Sequence, residues 1–227
     1  MLSRAFLTDP AAPETRRPAT RRYSPWLVPA GLILLSLFPI VGGAARLTEL
    51  TGGAAITPEN ERFFHSPVAI VLHIVSVTVY TLVGAFQFVP SLRRRTWHRI
   101  VGRVLVPMGL LAALSGLWLA TLYFTASGGV ILLLVRLIIG LSMVVSIALG
   151  LLFVWRVVDV PRHGAWMTRA YAIGAAAGTE ALLIIGPEVL SKSPDGTGQI
   201  VFTASAWLAN LIVAEYVIYR RRRAKAA

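Results

Sequence analysis

PVAIVLHIVSVTVYTLVGAFQFV occupies residues 67–89 and runs directly into the basic turn PSLRRR, residues 90–95. The first stretch is apolar and long enough for a helix to cross a hydrocarbon core of about 30 Å, which takes about 20 residues at a rise of about 1.5 Å each. The second is a charged stop that belongs in water. Five further stretches have the character of the first: Trp26–Ala45, Val101–Tyr123, Val130–Trp155, Trp166–Gly186 and Ile200–Tyr219. The predicted fold class is therefore all-α, a polytopic transmembrane helical bundle of six spans.

Positive charge switches on and off between those spans. Arg4, Arg16, Arg17, Arg21 and Arg22 precede the first, and Arg93, Arg94, Arg95, Arg99 and Arg103 surround the second connection. Arg156, Arg162 and Arg169 lie at the fourth, and Arg220, Arg221, Arg222, Arg223 and Lys225 end the chain. The opposite side holds Arg46, Arg62 and Lys192, and Arg136 falls inside a span. The positive-inside rule then puts both termini in the cytoplasm. The bilayer and its anionic lipid head groups are the expected partners of the Arg clusters. A net charge of +12 also raises nucleic acid, but that reading needs basic residues gathered on one face. Here they are divided among segments that flank helices, so no nucleic acid is expected.

Composition points the same way. With 56% hydrophobic residues, 14% charged residues and a mean hydropathy of +0.70, the chain has too little polar surface for a water-soluble domain of 227 residues. Residues 1–25, basic and holding Pro10, Pro13, Pro18 and Pro25, are expected to form a mobile cytoplasmic tail. Residues 26–219 form the transmembrane domain and residues 220–227 a basic cytoplasmic C-terminus. The first span ends in Gly42, Gly43, Ala44 and Ala45, as a cleaved leader would, but the long basic stretch before it and the even number of spans argue that it is retained. The absence of Cys excludes disulfides, thiolate metal sites and a cysteine nucleophile. The connections Leu47–Ser66 and Pro187–Gln199 are too short for a domain, so any chemistry lies in or at the edge of the bundle. No nucleotide loop, metalloprotease helix or nucleophile elbow is present, which argues against an ATP-driven pump or a conventional hydrolase.

A faint repeat runs through the middle. Span two leads from His73 to a basic turn and re-enters at Trp97-His98-Arg99, and span four leads from Arg136 and re-enters at Arg162-His163-Gly164. Two such hairpins predict a four-helix core of spans two to five with spans one and six flanking it. On span two, His73, Ser76, Tyr80, Gly84 and Gln87 share one helical face. Lipid cannot satisfy such a polar stripe, so it should face the interior. Gly102, Gly109 and Gly116 on span three, with His98 on the same face, and Gly174 and Gly178 on span five, with His163 and Tyr171 beside them, are expected seams for close helix approach.

Depth sorts the polar residues into two levels. His73, Arg136 and Glu180 each lie about 9 Å below the outer end of their span, and Arg136 and Glu180 are the expected ion pair, because an unpaired charge at that depth costs about 2.5–3.5 kcal/mol. At the cytoplasmic level His98, His163, Arg99, Arg103 and Arg169 gather with Gln87 and Glu215. His98 and His163 could bracket a haem iron while Arg99 and Arg169 hold its propionates or another anionic group. They could equally be interfacial anchors for lipid phosphate.

His73, the run Tyr80 to Phe88, Trp97-His98-Arg99 with Gly102-Arg103, Ser115-Gly116-Leu117-Trp118, and Arg162-His163 with Ala165-Trp166-Met167 and Arg169-Ala170-Tyr171 resemble the bacterial multi-pass membrane family known as domain of unknown function 2306. The resemblance spans roughly Leu72 to Glu215 and implies a bacterial plasma (inner) membrane protein. Where Glu180 stands, the family pattern has Gln. More distantly, the four-helix core with His and Arg at helix starts is similar to di-haem cytochrome b-type bundles, although His98 with His163 makes one complete ligand pair rather than two. Two functional classes follow. One is a membrane redox component holding a b-type haem or a quinone, with Tyr80, Gln87 and His73 as a polar route outward. The other is a non-redox permease for protons or a small solute, or an assembly factor bound to a membrane-protein partner or to a second copy of itself.

Overall fold

The computed structural model describes residues 24–58, 60–93, 96–122, 129–189 and 196–226. The expected mobile tail falls outside the described residues up to Tyr23. Helix α1 covers Leu27–Thr51, α2 Glu61–His65 and α3 Pro67–Ala85, which tightens into a 3-10 turn over Phe86–Phe88. Then follow α4 (Pro90–Arg93), α5 (Thr96–Leu122), α6 (Gly129–Trp155), α7 (Val160–Val189) and α8 (Gly196–Ala226). The described residues contain no strand. Helix α8 continues to Ala226, so the basic residues after Tyr219 extend the last helix.

Among the described residues five helices are long and apolar enough to cross a membrane: α1, α3 with its 3-10 turn, α5, α6 and α8. Helix α7, the expected fifth span, is long enough but is not among them. The reason is visible in its surroundings. No residue from Gly164 to Ala181 is exposed, so α7 meets protein rather than lipid and tolerates Arg169, Glu180 and many Ala and Gly. The outer helices show the converse pattern. On α6, Ile131, Leu134, Ile138, Leu141, Val145 and Leu152 recur at helical spacing and all are exposed, an apolar stripe that fits acyl chains and not water.

Helices α3, α5, α6 and α7 close into a four-membered ring. Helix α1 lies against α3 and α7, and α8 against α7 and α6. The packing of four core helices with two flanking ones is the arrangement expected, with α7 in the place of the expected fifth span. Its centre is an exchange of tyrosines. Tyr80 of α3, 2% exposed, fills the space over Gly109 of α5 and Gly174 of α7, where an added Cβ would come within 2.7 and 3.0 Å of the ring. Tyr171 of α7 returns the contact at Gly84 of α3, 2.8 Å from an added Cβ, and donates its hydroxyl to the Thr81 carbonyl at 2.7 Å. The two rings lie 5.9 Å apart, and Phe88 meets Tyr171 edge-on at 4.9 Å. Gly116 makes room for the ring of His73. Gly102 does not belong to this seam, because nothing lies within 4 Å of its added Cβ.

The short α6–α7 connection sets the register of α7. Val158 adopts a left-handed backbone (φ 56°), unfavourable for a β-branched residue. Asp159 then caps α7 by accepting from the Arg162 backbone N–H at 2.9 Å. Gly84→Ala should lower stability by about 1–3 kcal/mol because Tyr171 must leave its place, and Tyr171→Phe should cost about 1 kcal/mol for the lost hydrogen bond. Val158→Gly should raise the unfolding midpoint, since glycine adopts positive φ without a Cβ clash. Thermal unfolding of the detergent-solubilised protein measures all three.

Candidate functional site

The Arg-rich end of the bundle collects most of the unusual polar chemistry. Gln87 lies in the 3-10 turn that ends α3, and the chain curls back through α4 so that Arg93 Nε donates to the Gln87 carbonyl at 2.7 Å. The Gln87 side-chain amide has no partner for either Oε1 or Nε2 although both atoms are buried, and the same is true of His98 Nδ1. Buried polar atoms are nearly always hydrogen-bonded, so three orphans at one end of a bundle are a departure that marks this end as the candidate site. His98 lies within electrostatic reach of Arg93 and His163.

Two guanidiniums converge there. Arg93 and Arg221 stand 5.7 and 5.9 Å from the centre of the Phe88 ring, and neither has a carboxylate partner among the ion pairs of the described residues. Although Arg93 is exposed by area, crowding by its surroundings and then the Arg221 charge pull its pKa from the usual arginine range down to about 10. An anion placed between the two would relieve that strain. Arg221 also reaches the Thr168 hydroxyl at 3.4 Å.

The other expected members of this level are distributed differently. His163 is held by Gly150, its Nδ1 donating to that carbonyl at 2.8 Å, which leaves Nε2 as its open ring nitrogen. Arg169 is committed elsewhere: its Nε and Nη2 donate to the two Glu215 oxygens at 2.5 and 2.9 Å, and it stacks on Trp166 at 4.5 Å. Arg99 and Arg103 are exposed on α5. Gly84 precedes His98 much as Gly150 precedes His163, so the repeat has a counterpart in position. Its hydrogen bond is made in the second hairpin, while the Nδ1 of His98 in the first stays unpartnered.

The expected outer level is not one cluster. His73 faces α5, with Nδ1 3.0 Å from the Ala112 carbonyl and 3.2 Å from Ser115 Oγ. Glu180 faces α8 instead, accepting from the fully buried Thr203 hydroxyl at 2.5 Å. Arg136 is within electrostatic range of Glu180 and of Arg62, but the direct Arg136–Glu180 ion pair expected from depth is not among those within 4.0 Å. Among the described residues no group of three or more His, Cys, Asp or Glu could hold a metal ion.

The pattern of motifs over α3 to α8 has a family behind it. The family model described as "Predicted membrane protein (DUF2306)" matches residues 70–218. The chain belongs to that family. No curated protein and no solved structure matches it. The matched range contains His73, Gln87, His98, His163 and Glu180, and it leaves α1 outside.

The sequence points to Gln87, His98 and His163 but not to Arg93, Arg221 or Phe88 as their neighbours, nor to Thr203 as the partner of Glu180. The signal for the first three was faint. Arg93 and Arg221 read as members of basic runs, and only the return of α4 and the length of α8 bring them to one ring. Thr203→Val should cost about 1.5–3 kcal/mol by stripping the Glu180 carboxylate of its donor. Glu180→Gln, whose amide oxygen still accepts from Thr203, should cost less. Unfolding midpoints of the two variants check the order.

Proposed function

We propose that this protein is a multi-pass bacterial inner-membrane protein, with α1, α3, α5, α6, α7 and α8 all crossing the bilayer and both termini cytoplasmic, that binds an anionic ligand at the cytoplasmic end of its core. The observation that supports the ligand is the buried, unpartnered Gln87 amide together with His98 Nδ1, set beside Arg93 and Arg221. Gln87 Nε2 and a protonated His98 Nδ1 are donors for anion oxygens, and the two guanidiniums supply the charge. A phosphate-type group, free or on a lipid head group, has the matching chemistry.

A second reading, one b-type haem between His98 and His163, is favoured by the Gly150 bond. A histidine whose Nδ1 donates to a backbone carbonyl has its Nε2 oriented and ready for iron. When bound, the haem would supply one-electron transfer. The haem reading leaves the Gln87 amide unaccounted for, which is why the anion stands first. The permease reading is weaker on geometry, because the Tyr80 ring, packed over Gly109 and Gly174, fills the centre of the polar face that a solute would follow.

Reporter fusions at Thr57 and Arg94 should score on opposite sides, and a C-terminal fusion should score with Arg94. A C-terminal fusion scoring with Thr57 would mean that α7 does not cross. For the ligand, phosphatidylglycerol or inorganic phosphate added to the protein in neutral detergent should raise the unfolding midpoint, with a gain of about 2.7 kcal/mol at one hundred times Kd. Gln87→Leu and the Arg93→Gln, Arg221→Gln double variant should lose most of that gain. Equal gains in wild type and variants would end the assignment. A Soret band in the purified protein that shifts in both His98→Gln and His163→Gln would favour haem over the anion.

A further inference from the structure

Away from the Arg-rich end, a partly enclosed cavity of about 120 Å³ lies between α1, α3 and α7. Small residues create it. Gly174, Ala175, Ala177 and Gly178 present almost no bulk from α7, and Ser36, Pro39 and Ile40 face them from α1. Pro39 has no N–H, so the Leu35 carbonyl one turn earlier loses its helical donor. That carbonyl packs directly on Gly178, closer than any side chain there would allow. Helix α1 is thus pinned to α7 at Leu35, and the space beside the pin stays open.

His73 lines this cavity from α3, with Ile74, Val77, Thr78 and Thr81. Its Nδ1 is committed to the Ala112 carbonyl and therefore carries the proton of the neutral ring. The atom left for a ligand is Nε2, an acceptor. The hydroxyls of Ser36 and Thr81 donate to the Leu32 and Val77 carbonyls of their own helices, at 2.8 Å each. Thr78 adds a third hydroxyl, and the remaining lining residues are apolar. A dry cavity of about 150 Å³ is known to hold one benzene; the space here is slightly smaller but open on one side, a size on the scale of one ring and far below a haem.

We infer that this cavity binds a hydroxyl-bearing aromatic ring, a phenol or the hydroquinone head of a reduced lipid quinone, with the ring hydroxyl donating to His73 Nε2. An oxidised quinone has only acceptors to offer and cannot make that bond, so the site discriminates by redox state without taking part in electron transfer. The inference is independent of the anion site, because none of Gln87, His98, Arg93 or Arg221 lines the cavity.

The test is fluorine NMR of para-fluorophenol and fluorobenzene with the full-length protein in neutral detergent. Saturable binding of para-fluorophenol, about fivefold tighter than fluorobenzene for one added hydrogen bond, is expected. Hydroquinone should displace it and benzoquinone should not. Ala177→Leu, which adds bulk to the α7 wall of the cavity, should abolish binding of both probes, and His73→Leu should remove the preference for the phenol. If His73→Leu does not fold, Ala177→Leu and the hydroquinone competition still decide. Equal binding of the two probes to wild type, displacement by benzoquinone as effective as by hydroquinone, or unchanged binding in Ala177→Leu would each overturn the assignment.

Discussion

The bundle depends on the reciprocal placement of two tyrosines into two glycines. Helices in lipid gain little from hydrophobic burial, since lipid tails are as apolar as leucine, and must gain from close packing and hydrogen bonds. Tyr80 reaches α7 over Gly174 while Tyr171 reaches α3 over Gly84, so each helix supplies both a knob and a hole to the other. The Tyr171 hydroxyl adds a directional bond to Thr81, and Gly109 admits the far edge of Tyr80 from α5. Removing one glycine displaces a ring that packs on more than one helix, which couples the register of the core helices. The rest of the ring, α6 against α7 and α5, can then close with ordinary aliphatic contacts.

Against that framework the treatment of polar groups is economical almost everywhere. Ser36, Ser76, Thr81, Ser115, Ser142 and Thr168 each donate to a carbonyl four residues earlier on their own helix, the standard way of satisfying a hydroxyl where no water reaches. Trp207 donates to the Ile173 carbonyl and Asn210 to Thr179, so α8 is fastened to α7 by bonds that are also fully used. In such a molecule three buried polar atoms without partners are not background. Their location at the Arg-rich end, beside two guanidiniums with no carboxylate partner among the ion pairs of the described residues, is what makes that end the candidate site.

Much of this was legible from residue type and period. The apolar runs marked every helix of the bundle, and the glycine spacing marked Gly109, Gly116, Gly174 and Gly178 as contact positions. What failed shares one cause. Periodicity reports which face a residue occupies but not which neighbour that face meets. Depth alone pairs Glu180 with Arg136; the two stay within electrostatic range, but the Glu180 hydrogen bond goes to Thr203 of α8. Gly102 was placed on the seam by its seven-residue spacing, yet it lies where α5 has no neighbour within reach. Arg169 and Glu215, two members of the expected cytoplasmic level, bond directly to each other, a pairing that spacing does not show. The cavity beside His73 was invisible because it arises from a pin between Pro39, Leu35 and Gly178, three residues with no chemical signature as a group.

Helix α7 is where these features meet. It supplies His163 and Thr168 at the Arg-rich end, Tyr171 and Gly174 to the interlock, Gly174 to Gly178 to the cavity wall and Glu180 to the contact with α8. A helix facing lipid could not carry that set, because each polar residue would lose solvation without gaining a partner. Enclosure by α1, α3, α6 and α8 removes the constraint. The low apolarity that sets α7 apart from the five more apolar helices is therefore the consequence of its position. The flanking helices α1 and α8 are the elements that make this position possible, α1 by its tight contact at Gly178 and α8 by its hydrogen bonds to Ile173 and Thr179. The family match, which begins at residue 70, leaves α1 outside. The cavity that α1 completes is thus built partly from a helix beyond the shared motif pattern, whereas the Arg-rich site draws its unpartnered amide and imidazole from within it.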